Sequence, residues 1–204
     1  MKKVLLVALV TGFSSMAQAS NDYAGIRIGA GATTGMKVDG LGTLKAQPKI
    51  EFGYDFNRIF SVNGSLMRFD GEHNQISSKA LYGGKADGYD ARIEGEIGYA
   101  FNIADGWDLK PYAAFGGAHV SGSIESHNVG LLVALPSGTQ NNIDSYSGNF
   151  SGNYLTTAAG LRLTTPLGIY ADARVQSLYM TANQEVRTPV KENAQFGFTV
   201  GFKF

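Results

Sequence analysis

The chain has no cysteine, only 5 prolines in 204 residues, and no surplus of either charge, with 17 basic side chains against 17 acidic. Without cysteine there is no disulfide framework, no thiol nucleophile and no thiolate metal site. The balanced charge leaves no basic footprint of the kind that holds nucleic acid. Long hydrophobic runs are also missing. Beyond the first 20 positions no apolar stretch approaches the roughly 20 residues of a membrane-spanning helix, which excludes a helical membrane protein. His73, His119 and His127 show no metal-ligand spacing, so neither a metal nor a cofactor is expected.

What is present begins with an address. Lys2 and Lys3 precede a short apolar segment, Val4 to Val10, and Ala17-Gln18-Ala19 reads as a cleavage site. Residues 1–19 are therefore expected to be a signal peptide and 20–204 the mature protein, one domain without a linker or an added soluble module. Removing Lys2 and Lys3 leaves 15 basic residues against 17 acidic, a net charge near −2.

The end of the chain carries the clearest pattern. In Gln195 to Phe204, the residues Phe196, Phe198, Val200, Phe202 and Phe204 fall on one face of a strand, and Gln195, Gly197, Thr199, Gly201 and Lys203 on the other. A soluble strand so apolar on one face needs a covering layer, whereas a strand in a bilayer needs lipid outside and a polar lumen inside. The same dyad recurs along the chain. Strands are expected at about 23–33, 47–56, 60–69, 89–101, 107–120, 154–164, 169–180 and 195–204. Tyr89, Ala91, Ile93, Gly95, Ile97, Tyr99 and Phe101 alternate with Asp90, Arg92, Glu94, Glu96 and Gly98. In the second strand Ile50, Phe52, Tyr54 and Phe56 take the lipid side. The facing of the fifth strand stays ambiguous, because Pro111 and an Ala/Gly run blur its period.

Connections are short near Asn57, Asp105 and Pro166, and long at 34–46, 70–88, 121–153 and 181–193. Phe56, Phe60, Phe101, Trp107 and Tyr170 gather at the short-turn ends and suit an interfacial girdle. The expected fold is an all-β, eight-stranded antiparallel transmembrane up-and-down barrel, with short periplasmic turns, long external loops and an outer-membrane location. Eight strands leave an interior that side chains fill. A soluble ligand-binding barrel is the alternative, disfavoured by the terminal Phe204, the girdle and the alternating loop lengths.

Several residues bear on chemistry. Arg27, Lys49, Glu51, Asp55, Arg92, Glu94, Glu96, Arg162, Asp172, Arg174 and Lys203 fall on inward positions with mixed signs, and are expected to form a polar plug; an ion path is the rival. Glu94 and Glu96 share a face at a spacing compatible with paired carboxylates, but a lumen gives a glycoside no access. His119-Val120-Ser121 with Glu125 is a weak hydrolase signal. Within 121–153, the apolar Val129 to Leu135 reads as a strand extension, a lipid-contacting segment or a partner-binding patch. Lys79, Tyr82 and Lys85 read as a solvated loop, with lipopolysaccharide phosphates or glycans as the sharper alternative.

The terminal strand Phe196 to Phe204, the Ala159-Gly160-Leu161-Arg162 and Asp172-Ala173-Arg174 hairpin, and Lys110-Pro111-Tyr112 together resemble the small outer-membrane barrels of the OmpA-like membrane domain and the OmpX/Ail-like group. The size also resembles the accessory colonisation factor type. Thr199 departs from the pattern, standing where the terminal signal often has glycine. The resemblance implies a monomer that meets outer-membrane lipid, lipopolysaccharide and the barrel-assembly machinery. It implies that Phe196, Phe198, Val200, Phe202 and Phe204 form the assembly signal. It further implies surface loops that serve adhesion to a host or environmental ligand, or envelope integrity, without catalysis. A small-solute pore and a lipid A-modifying enzyme remain the other functional readings.

Overall fold

A computed structural model describes residues 23–35, 37–38, 42–43, 45–76, 80–130, 143–180, 190–191 and 194–204. The expected signal peptide, 1–19, lies outside them. Eight strands form the barrel: β1 Gly25–Thr33, β2 Gln47–Asp55, β3 Phe60–Ile76, β4 Ala80–Gly98, β5 Trp107–Gly130, β6 Ile143–Thr164, β7 Ile169–Met180 and β8 Ala194–Lys203. Each pairs antiparallel with the strands before and after it, and β1 pairs with β8 through Arg27–Lys203 to Thr33–Gly197, so the sheet closes on itself into a barrel. The last residue completes the seam: Phe204 N–H donates to Ile26 O at 2.9 Å, and Ile26 N–H to Phe204 O at 3.1 Å.

The alternation in sequence becomes alternation across the wall. Ile93 is 67% exposed and Phe115 61%, while Arg92 is 4% and Glu94 1% exposed. A continuous apolar belt of this kind is foreign to a soluble surface, where the largest apolar patch is of the order of a few hundred Å². Tyr54 has the outward parity but is buried, its ring edge-on to Phe56 at 5.0 Å between centroids.

Three tight turns close one end. At the first, Asn57 Oδ1 accepts from the amides of Ile59 and Phe60, both at 2.8 Å. At the others, Gly106 and Gly168 take φ of 72° and 76°, a region that side chains disfavour. Phe56, Phe60, Phe101 and Trp107 stand exposed around this end. Tyr170 does not join them. It is fully buried in the lumen, because Gly29 and Gly201 opposite leave room for its ring and Glu51 accepts its hydroxyl at 2.8 Å. The fourth expected strand also stops early. β4 ends at Gly98, and Phe101–Ala104 forms a separate short strand against Trp107–Leu109.

At the other end, two segments expected as loops are strands. β3 and β4 stay paired from Phe60–Ile97 out to Ile76–Leu81, which absorbs most of 70–88. β5 and β6 stay paired from Asp108–Thr164 to Val129–Ile143, which absorbs most of 121–153. The reason is a second alternation of opposite sense. Beyond Leu66 the outward side chains are Arg68, Asp70, Glu72, Lys85 and Asp87, and the inward ones are Phe69, Ala86, Val120 and Phe150. The period is still two, so the hairpins run on, but their polar face now meets water. Of Val129 to Leu135, Val129 and Gly130 lie in β5, and the rest lies outside the described residues, as does Lys79. Within 34–46 and 181–193, Lys37–Val38, Gly42–Thr43 and Val190–Lys191 pair as a small separate sheet.

Candidate functional site

Every strand supplies a side chain to the base of the lumen. Glu96 on β4 is the hub: its Oε2 accepts from Arg27 Nη2 at 3.1 Å, Arg162 Nη1 at 2.9 Å and Ser61 Oγ at 3.0 Å, and its Oε1 accepts from Arg162 Nη2 at 2.9 Å. Asp55 pairs with Arg27 at 3.2 Å and Lys203 at 2.9 Å. Asp172 pairs with Arg162 Nε at 3.0 Å and accepts the Tyr112 hydroxyl at 2.8 Å. Lys110 donates to Ser61 at 2.7 Å. Burying any one of these charges alone would cost several kcal/mol, roughly, and only mutual pairing offsets that cost.

Above this base, Lys49 binds Glu51 at 2.8 Å and Arg174 pairs with Glu94. Higher still, Arg92 spans Asp90 and Gln195, the latter at 2.9 Å, and Gln176 reaches Gln195 at 3.3 Å. At the top the lining is apolar. Phe69, Ala86, Ala118, Val120, Phe150, Tyr154 and Leu178 form one buried cluster, with the Phe69 and Phe150 rings stacked 6.2 Å apart. The interior thus passes from ions to amides to hydrocarbon. A cavity at the short-turn mouth, beside Lys110 and Lys203, holds about 10 Å³. That is room for one water at most.

Arg27, Glu51, Arg92, Glu94, Glu96, Arg162, Asp172 and Arg174 are all in this network, as are Lys49, Asp55 and Lys203. Glu94 and Glu96 are held by different arginines and form no free carboxylate pair. The sequence did not assign Lys110 and Tyr112 to the lumen, and it placed Tyr170 in the girdle. The register supplies what it lacked: β5 pairs with β6 at Lys110–Arg162 and Tyr112–Gly160, which turns Lys110 and Tyr112 inward and Pro111 outward.

The His119-x-Ser121 pair faces outward on β5, and no hydrogen bond joins the two. His119 Nδ1 instead meets Asn153 Oδ1 at 2.8 Å, and its Nε2 meets Ser151 Oγ at 3.5 Å. Glu125 lies farther along the same outward row, opposite Lys85 and Ser147. Ser121 is flanked on both sides by ladders, with Tyr89 and Ser151, so its strand has no spare amides to hold an oxyanion. The side chains of His73 and His127 are outside the described residues, and no metal-holding cluster exists among the described residues.

An outer-membrane protein β-barrel domain model matches residues 5–204. The chain belongs to that family. Its short turns accordingly face the periplasm, and the long hairpins β3–β4 and β5–β6 face outward from the cell. Among solved structures, the N-terminal barrel domain of Pseudomonas aeruginosa OprF is similar, with a TM-score of 0.53 and 17% identity over 88% of this chain and 97% of that one. The Yersinia pestis attachment invasion locus protein Ail, solved with the heparin analogue sucrose octasulfate, aligns with a TM-score of 0.48 and 19% identity over 90% of this chain and 99% of that one. Neisserial surface protein A aligns with a TM-score of 0.45 and 17% identity over 88% and 97%. No curated protein matches the sequence.

Proposed function

We propose that this barrel is a sealed, non-enzymatic scaffold whose work is done by the outer hairpins, as an adhesion-type or envelope-stabilising surface protein. The observation that supports this most is the apolar seal of Phe69, Val120, Phe150 and Leu178 above the ion-paired base. An ion entering from outside meets hydrocarbon and then a lumen filled by paired charges, and hydrophobic constrictions of this kind exclude water as well as ions. Function therefore belongs to the outer surface, carried by elements the barrel positions. The pore reading predicts discrete current steps in planar bilayers. We expect none across salt and pH, and a reproducible unitary conductance would sink the sealed-scaffold account.

For the adhesion role, cells expressing the wild type are compared with cells in which 121–153 is replaced by a short turn. Loss of attachment with an unchanged heat-dependent gel shift is the expected result. Equal attachment by both would assign the protein to the envelope instead. The lipid A-modifying reading is checked by mass spectrometry of lipid A with and without the gene, where no mass change is expected.

The C-terminal strand completes the reading as the assembly signal, with Phe196, Phe198, Val200, Phe202 and Phe204 presented along its lipid face. Deleting Phe204 also removes the two backbone bonds that finish the seam. Outer-membrane levels of the deletion variant should fall several-fold in fractionated cells; unchanged levels would show that the terminal aromatic is dispensable for assembly.

A further inference from the structure

The outer wall of a barrel is convex, yet one sector of this one is hollowed. Along β1–β2–β3 the outward residues include Ala30, Ala32, Pro48 and Gly64, all small or flat, between the ridge of Phe198, Val200 and Phe202 on β8 and Tyr89 and Ile93 on β4. The hollow has two connected parts. One of about 710 Å³ is lined by Ile28, Ala30, Phe52, Gly64, Leu66 and Phe202 among others. The other, about 350 Å³, shares Ala30, Ile50 and Leu66 and ends at Arg68 and Tyr89. From the Phe52–Gly64 pair to the level of Arg68 is two steps of the outward row on β3, about 13 Å at the usual strand rise.

Arg68 is the first charge on that row, at the level where the outer face passes from apolar to polar. It is exposed, and among the described residues it makes no hydrogen bond or ion pair. Asp70 is the next outward residue on the same strand, directly opposite Asp87, whose Oδ1 accepts from Ser123 at 2.8 Å. The two carboxylates face water above, and Arg68 faces the boundary. A guanidinium at that depth recognises phosphate oxygens through forked hydrogen bonds. The trough below it offers hydrocarbon contact to an acyl chain, and Tyr89 supplies an amphipathic ring at the junction.

We infer that the β1–β3 trough with Arg68 is a binding site for one phosphorylated, acylated lipid of the outer leaflet, of the lipid A type, with an acyl chain along Ala30 and Gly64 and a phosphate on Arg68. The inference rests on the outer-membrane placement and on the outward direction of the long hairpins. It names a partner that the scaffold carries with it, independent of what the hairpin tips bind.

Native mass spectrometry of the full-length barrel, released from detergent after incubation with lipid A, provides the test. The wild type should retain one lipid. Dephosphorylated lipid A, and separately Arg68→Ala with intact lipid A, should each lower the retained fraction at least tenfold. Ala30→Trp should fill the trough and remove the adduct while Arg68 remains. Equal retention by wild type and Arg68→Ala, or of phosphorylated and dephosphorylated lipid, overturns the site. If Ala30→Trp fails to fold, the Arg68→Ala and dephosphorylation arms decide alone. Cell fractionation separates the two layers of the argument: a protein absent from the outer membrane refutes the placement, whereas a correctly placed protein indifferent to Arg68 refutes only the lipid site.

Discussion

Replacing Glu96 by glutamine is expected to destabilise the folded barrel by about 3–5 kcal/mol, the usual consequence of removing one partner from a buried ion pair. The size follows from what Glu96 holds. Arg27 and Arg162 both donate to it, both are essentially inaccessible to solvent, and Ser61 adds a third donor. Glutamine keeps one acceptor oxygen and loses the charge, so two guanidinium groups would have to share the remaining carboxylates, Asp55, Asp172 and the more distant Glu51. Urea unfolding of the protein refolded into lipid vesicles measures the change directly. A loss below about 1 kcal/mol, no more than an ordinary hydrogen bond, would mean that Asp55, Asp172 and Glu51 suffice to neutralise the cluster.

Truncating Phe150 to alanine is expected to cost about 3–5 kcal/mol as well, the range for large-to-small changes of buried aromatics. The distribution of that loss should differ. Phe150 stacks on Phe69 above the membrane, within the apolar cluster that holds the external halves of β3–β6 together. The membrane-embedded half has its own ion-paired interior. Protease added to intact cells should therefore cut β5–β6 of the variant much faster than the wild type, while the heat-dependent gel shift persists. Cleavage at the wild-type rate would show that the backbone ladder alone holds the hairpins closed.

The barrel strands were legible in the sequence because lipid and lumen impose opposite demands on neighbouring residues. The alternation of Arg92, Glu94 and Glu96 with Ile93, Gly95 and Ile97 marked the strand, and the terminal Phe204, the girdle and the alternating loop lengths told which face met lipid. The hairpin extensions were not legible, for a physical reason. Past Leu66 the outward residues Arg68, Asp70 and Glu72 are polar, so the pattern inverts, and an inverted pattern with Gly and Ser reads as loop. Tyr170 was misplaced because position near a turn and aromatic character point to a girdle, whereas its true environment is set by Gly29 and Gly201 on other strands. Lys110 was hidden by the same kind of context, since Pro111 and the run Ala113-Ala114 give no contrast between faces. Within the lumen, the set of charged residues could be read from spacing, but the partners could not. Arg27 meets Glu96 across 69 positions of sequence, and only barrel closure brings them together.

The inverted hairpins also bear on how a tip sequence recognises anything. A segment carried on a disordered tether loses conformational entropy when it binds. The strands that lead to Gly130 and from Ile143 are instead fixed by a paired stalk with a hydrophobic heart, so the cost of bringing those two ends together is met on folding rather than on an encounter. Substitutions confined to that segment leave the register of β5 and β6 untouched. The barrel's ion-paired base and the apolar stalk above it thus stand independent of whatever sequence joins the two strands.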